Sequence, residues 1–403
     1  MTDTFITAIH VKKVCQIEDF AIPLSETERK HLVITGKNGS GKTSLLREIN
    51  KFLAMTIIQV PNYHSKCEDQ IISLSKILQS PSDINHKTEV ESRLTALQTG
   101  LLRFGNTKIN FNNEHGLHKQ SLVVFFEAKR IVTPAIPQGI NKVNLKERYQ
   151  TTDQASKDFI QYIVNLKAER SFAKDDNDTE TVQRIDAWFD NVEAQLKNLF
   201  DAPDLHLVFD RQNYNFLIQI GDNTPFAFTE LSDGYSAVIS IVTELIMRME
   251  ATGHKRFDQQ GIVLVDEIET HLHVALQKQI MPFLCAFFPN IQFIVTTHSP
   301  FVLSSINNAV VCDLETREVL TDLSGYSYEA LVEGYFHTDK YSELIKNKLQ
   351  RYEQLATADT LAEAESDEYR TLKRYFDGLP TFLADGLAVK LQQIKLQQLT
   401  HQG

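Results

Sequence analysis

The chain is short of cysteine, of positive charge and of long apolar runs. Four cysteines, Cys15, Cys67, Cys285 and Cys312, are scattered through 403 residues with no C-x-x-C spacing. That excludes a disulfide framework and a cysteine-rich zinc site, and it fits a reducing compartment. No apolar stretch approaches the ~18 residues that a membrane span needs, and the opening MTDTFITAIHVKK has no basic-then-apolar signal pattern. The expectation is a cytoplasmic protein, neither secreted nor embedded. With a net charge of −11 there is no basic stripe, so any contact with a polyanion has to come from a local patch or a partner subunit. What is present is ordinary globular material, 42% hydrophobic and 23% charged, enough for one large or two modest cores.

Apolar patterning divides the chain. Strands are read at 5–14, 18–24 and 31–36, the last running into a glycine-rich turn. Beyond Pro61 the pattern becomes helical, with Ile71, Leu74 and Leu78, then a break at 79–87, then Val90, Leu94, Leu97 and Leu101 at 4-3-4 spacing. A strand-like SLVVFFEAKR (121–130) and a Pro-punctuated loop (131–139) follow. Two more helices show apolar faces at Phe159, Tyr162, Ile163 and Leu166, and at Val182, Ile185, Phe189, Val192, Leu196 and Leu199. A hairpin is expected from LHLVFD (205–210) and NFLIQI (215–220), then a long helix within 228–249. Buried strands are read in GIVLVDE (261–267) and QFIVTTHSP (292–300), and a strand pair in 309–314 and 318–323. The remainder is helical, with Leu344, Ile345, Leu349, Tyr352 and Leu355 on one face, and Leu387, Leu391, Ile394 and Leu399 on another.

The turn after the third strand, Gly36-Lys-Asn-Gly39-Ser-Gly41-Lys42-Thr43, fits G-x-x-x-x-G-K-[ST] at every fixed position. Such a loop folds tightly enough for backbone N–H groups to converge on a phosphate, Lys reaches the β/γ oxygens and Thr ligates Mg²⁺. The candidate nucleotide-binding set is therefore Gly36, Asn38, Gly39, Ser40, Gly41, Lys42, Thr43 and Ser44. In Val263-Leu-Val-Asp266-Glu267 an apolar strand ends in two carboxylates. Asp266 falls near the Mg²⁺ shell with Thr43, and Glu267 falls where it can take a proton from the attacking water. Thr297-His298-Ser299-Pro300 ends the next apolar strand, placing His298 as a second catalytic candidate.

Leu231-Ser232-Asp233-Gly234-Tyr235 resembles the L-S-G-G-Q signature of ABC-type ATPases, with Asp at 233 and Tyr at 235 as departures. Ser232 is expected to cap the following helix, and its hydroxyl and the Gly234 amide form an anion site at the helix start. Phosphate loop, signature, Asp-Glu strand and T-H-S-P occur in ABC order over residues 1–60 and 200–325. The chain thus resembles the soluble AAA/OLD/SMC-like branch, and within it the PtuA-type ATPase subunits of Septu anti-phage systems. The segment Ile268-Glu269-Thr270-His271-Leu272-His273 resembles that branch's D-loop.

The resemblance implies an α/β fold, an ABC-type P-loop NTPase core of mixed sheet flanked by helices. Its first half is expected at 1–60 and its second at 201–325, with a helical insertion at 61–200 that holds a strand and loop at 121–148, and a helical extension at 326–403. It also implies ATP and Mg²⁺ as ligands and assembly with itself, Ser232 and Gly234 of one copy completing the site of another. A separate nuclease subunit is the implied effector, of HNH type in preference to Toprim; DNA would be met through that partner, and no membrane is implied. The competing expectation is a RecF/SMC-like ATPase acting directly on DNA, through Lys129, Arg130, Lys142, Lys146 and Arg148. A third is an intrinsic nuclease, for which His337 and His401 are too isolated to form an H-N-H cluster.

Overall fold

The computed structural model describes residues 3–58, 63–78, 84–113, 116–118, 121–130, 135–137, 139–146, 149, 153–252, 257–327, 330–331, 343–358, 362–378, 387 and 391–394. Arg148, His337, Leu399 and His401 lie outside them, as does part of the 131–139 loop. Residues 1–327 form one compact unit and 328–403 another.

The first unit is built on a six-stranded sheet in the order β12-β11-β3-β10-β9-β5. These are β3 (His31–Thr35), β5 (Leu122–Phe126), β9 (Gly261–Val265), β10 (Ile291–Thr296), β11 (Ala309–Asp313) and β12 (Glu318–Thr321). All pair in parallel except β12, which runs antiparallel to β11. Every residue of β3, β9, β10 and β11 is buried, the signature of parallel strands covered on both faces, and it explains their unbroken apolar runs. Gly261 marks a close approach, since a Cβ there would stand 2.3 Å from the Leu122 carbonyl oxygen.

A second sheet joins β1 (Ile6–Val14), β2 (Ile17–Pro23) and β4 (Thr107–Phe111), all antiparallel. Helix α1 (Lys42–Ile58) is locked into one apolar cluster with both sheets, its Leu45, Leu46, Ile49 and Leu53 meeting Ile9 of β1, Ile34 of β3 and Leu264 of β9. Truncating any of these to Ala should cost about 2–5 kcal/mol. Helices α2 (Tyr63–Leu78) and α3 (Ile84–Leu102) form the expected hairpin. Helices α4 (Phe159–Asp175) and α5 (Thr179–Phe200) pack together ahead of a third, antiparallel sheet of β6 (Leu205–Asp210), β7 (Asn215–Ile220) and β8 (Phe226–Ala227). Helix α6 (Asp233–Ala251) is almost wholly buried, and α7 (Val274–Phe287) and α8 (Pro300–Leu303) complete the unit.

One element was not expected, and the expected strand gains a place. The span 61–200, expected as a helical insertion, also supplies β4 to the small sheet and β5 to the edge of the large one. It is tied to the second half of the core by charge as well. Buried Glu244 of α6 accepts from the Ala155 and Ser156 amides and from Arg248, while buried Glu250 accepts from Tyr162 and Trp188. Pairing of this kind is what makes charges tolerable inside a helix interface.

The second unit centres on α9 (Glu343–Ala356) and α10 (Glu363–Asp377). Leu349, Tyr352, Leu355, Leu372 and Phe376 share a core with Leu387 and Ile394, and Ile345 packs at its margin. Leu344 is corrected, because it stands 63% exposed off that face. No helix among the described residues is long and apolar enough to cross a membrane.

Candidate nucleotide site

Parallel pairing brings the C-terminal ends of five strands to one edge. Val33, Val295 and Val265 are in register across β3, β10 and β9, with Val311 and Phe126 on either side. The residues that follow, Gly36 to Thr43, Asp266-Glu267 and His298, therefore leave the sheet together, the position where open α/β sheets take ligands.

In the loop, Gly36, Gly39 and Gly41 have φ of +129°, +84° and +101°, left-handed conformations that a side chain would strain. At Gly36 space is also short, since a Cβ would lie 3.0 Å from Ser40 Oγ. Asn38 and Gly39 are exposed at the tip, while Ser40 and Ser44 are half-buried. Lys42 is buried and folds back, its Nζ donating to the Gly36 and Lys37 carbonyls at 2.8 and 3.1 Å. Burial lowers its pKa, and the carboxylates of Glu267, Glu269, Asp266 and Asp313 oppose that shift.

Thr43 Oγ1 donates to Asp266 Oδ2 at 2.8 Å, joining the first turn of α1 to the end of β9. The other Asp266 oxygen accepts from Thr296 Oγ1 at 2.6 Å, and the same threonine hydroxyl accepts from the Glu267 amide at 2.7 Å. Glu267 itself has φ +44°, and Thr270 Oγ1 donates to its Oε2 at 3.3 Å. Beneath this turn lies Arg130, buried, whose guanidinium donates to the Asp266 carbonyl and to those of Glu267 and Ile268 at 3.0 and 3.3 Å. Desolvation draws its pKa down to about 10. Arg130, expected as a DNA-facing cation, is thereby corrected to an internal clamp on the carboxylate turn. Lys146, from the same group, pairs with Asp153 at 3.2 Å, and Lys129 and Lys142 are exposed.

The His298 amide donates to Glu269 Oε1 at 2.6 Å. Burial and the nearby Lys42 charge hold the ring's pKa below the ordinary histidine range, against Glu269 and Glu267, which favours a neutral imidazole at pH 7. Its Nε2 is buried without a hydrogen-bond partner, as is Ser40 Oγ. Buried polar atoms are rarely left this way, and two of them beside a glycine-rich loop fit a phosphate-bearing ligand.

Ser232 and Gly234 lie elsewhere. Ser232 is exposed at the N-cap of α6 but makes no side-chain cap bond, contrary to expectation; only its carbonyl accepts, from the Ser236 amide at 2.9 Å. Gly234 abuts the D-loop-like segment, where a Cβ would stand 3.1 Å from the His271 carbonyl oxygen. Tyr235 stacks on Phe200 at 4.3 Å, so the departure from glutamine there serves packing. Among the described residues no hydrogen bond links Ser232 or Gly234 to the phosphate loop.

Sequence reasoning missed Thr296 and the parts that Arg130 and Glu269 play in this site. The second Thr before His298 was a usable signal for Thr296. Arg130 had none, its partners lying 136 to 138 positions away.

A family model described as "AAA domain, putative AbiEii toxin, Type IV TA system" matches residues 101–304. The match includes Arg130, Ser232, Asp266, Glu267 and His298, and the phosphate loop precedes it. The chain is similar to the Septu protein PtuA of Bacillus mycoides, 26% identical over 92% of this chain and 50% of the relative. A second Septu protein PtuA, from Bacillus thuringiensis, is 24% identical over 76% of this chain and 78% of that one. The Retron Ec83 probable ATPase of Escherichia coli is 31% identical over 40% of this chain and 31% of that protein. The chain thus spans half of the B. mycoides relative and about a third of the E. coli one.

Proposed function

This chain belongs to the AAA domain family described as "putative AbiEii toxin, Type IV TA system", and from that premise we propose that it binds and hydrolyses ATP as a subunit of an anti-phage defence complex. What carries the reading is the single hydrogen-bonded chain Thr43–Asp266–Thr296–Glu267 beside buried Lys42 and the unpartnered His298 ring. Similarity to Septu and retron ATPases supports the defence role.

Residues 36–44 would hold the triphosphate, and Thr43 with Asp266 would hold Mg²⁺, which supplies positive charge against the phosphate oxygens. Lys42, now bonded to the Gly36 and Lys37 carbonyls, would exchange those oxygens for phosphate ones. Glu267 would accept the proton of the attacking water, its backbone held from both sides by Thr296 and Arg130. His298, neutral and open at Nε2, would hydrogen-bond the terminal phosphate.

The exposed, uncapped Ser232 and the Gly234 amide would face the terminal phosphate held by a second copy, so that ATP closes a pair and hydrolysis opens it. Opening and closing would act on a separate nuclease subunit, HNH type favoured over Toprim. The competing reading, direct action on DNA, is weakened by the burial of Arg130 and the pairing of Lys146.

Complementation tests the shared site. Lys42→Ala and Ser232→Arg should each abolish hydrolysis, and an equal mixture should regain about a quarter of wild-type activity. Half the pairs would then be mixed, each with one intact site of two. A mixture as inactive as its components, or full hydrolysis by Ser232→Arg alone, would sink the composite site.

A further inference from the structure

Next to the nucleotide site is a cavity of about 520 Å³, within the range of small-molecule sites. Three elements build its wall, two of which reach the nucleotide site. Helix α1, which begins at Lys42, contributes Arg47 and Asn50; the segment after β5 contributes Lys129 and Arg130; α6 contributes Ser240 and Glu244. Phe125 and Phe126, both half-buried, add aromatic surface.

The polar groups of this wall are incompletely matched. Ser156 lines the cavity at 1% exposure with a buried hydroxyl that has no partner. Asn50 Oδ1 and Arg130 Nε are also buried and unpartnered. One unfilled group is a common exception; three around one cavity point to a molecule that supplies the missing atoms. Charge gives its sign. Five Arg and Lys side chains line the cavity against three carboxylates, in a chain whose net charge is −11. Arg47 meets Glu127 in an exposed pair at 3.4 Å, and Lys129 is exposed. Exposed pairs of this kind are weak and give way to a phosphate.

Positive surplus, aromatic surface, an unfilled acceptor and an unfilled hydroxyl together describe a phosphorylated planar heterocycle. We propose that this cavity is a second ligand site, separate from the phosphate loop, which takes a mononucleotide-sized anion and relays its occupancy to Glu267 through Arg130. Asn50 Oδ1 and Ser156 Oγ, sealed at the cavity wall, read the ring's polar edge once their side chains rotate toward it, and Lys129 with Arg47 meets the phosphate. The relay is short because Arg130 shares the cavity wall and holds the Asp266, Glu267 and Ile268 carbonyls. The relay rests on the ATPase reading; the binding site does not.

The experiment uses the full chain with 2-aminopurine riboside 5′-monophosphate as a fluorescent probe. Titration onto the Lys42→Ala variant, whose phosphate loop is disabled, should show saturable binding. Lys129→Glu and Ser156→Val, each added to that background, should weaken it about tenfold. Lys129 is exposed, so its variant reports even where the buried Ser156→Val misfolds. With ATP saturating the wild-type chain, the probe should change turnover about fivefold or more. No saturable binding to the Lys42→Ala chain, or binding that Lys129→Glu leaves intact, overturns the site. Binding with unchanged turnover overturns the relay. Binding by a chain that hydrolyses no ATP upholds the cavity and rejects the ATPase reading.

Discussion

Replacing Arg130 with Met keeps an unbranched stem as far as the position of Nε and removes every donor. Its guanidinium serves four carbonyls, those of Glu127, Asp266, Glu267 and Ile268, of which Glu267's also accepts from the Thr270 amide at 3.0 Å. The Asp266 and Ile268 carbonyls lose their arginine donor outright, at roughly 1–3 kcal/mol each for a buried group left unmade. Relief of the guanidinium's own desolvation, the same effect that draws its pKa to about 10, offsets part of this. The net expectation is a loss of about 2–4 kcal/mol. Urea unfolding should show a lower midpoint at unchanged m, and ATP turnover should fall about tenfold to a hundredfold as the Glu267 turn loosens. Arg130→Lys should fall between. A DNA-contacting arginine would behave otherwise: stability within ~0.5 kcal/mol of wild type, and a DNA-binding salt slope reduced by about one. That pair of results would refute the clamp.

Thr296→Val removes the hydroxyl that donates to Asp266 and accepts from the Glu267 amide. It should cost about 1–3 kcal/mol and slow hydrolysis, with Thr296→Ser restoring both; turnover by the valine variant equal to wild type would count against the positioning role. His31 accepts from the Phe293 amide at 3.0 Å through Nδ1, which leaves its other nitrogen, against Cys285 Sγ, protonated. Burial lowers its pKa to about 4 from 6.5. The unfolded chain therefore binds the proton first as pH falls, and stability, complete above pH ~6.5, should drop by about 3 kcal/mol on approaching pH ~4. Urea midpoints across that range should show the drop in wild type and a shallower one in His31→Asn; equal slopes would assign it to other groups.

Much of the large sheet could be read from the sequence because parallel strands buried on both faces advertise themselves as unbroken apolar runs. GIVLV and the run ending at Thr296 are such strands. The hairpin at 205–210 and 215–220 was as legible, two apolar runs around a turn. Short strands at sheet edges were harder. TKINF of β4 pairs with β1, about a hundred positions away, and nothing local announces that partner. LVVFF of β5 reads as a strand, but its place beside β9 depends on a contact well over a hundred residues distant. The same distance hid Arg130, which looks on the chain like any loop cation. Ser232 shows the reverse, a good N-cap residue type in the N-cap position that makes no cap bond.

Glu267→Gln tests the central claim most directly, because it removes the proposed base while keeping the side chain's size and the backbone bonds to Thr296 and Arg130. Single-turnover hydrolysis of ATP should fall at least about a hundredfold, with ATP affinity unchanged and the nucleotide retained in a pair or larger assembly. Hydrolysis equal to wild type, with ATP released as readily, would contradict the account.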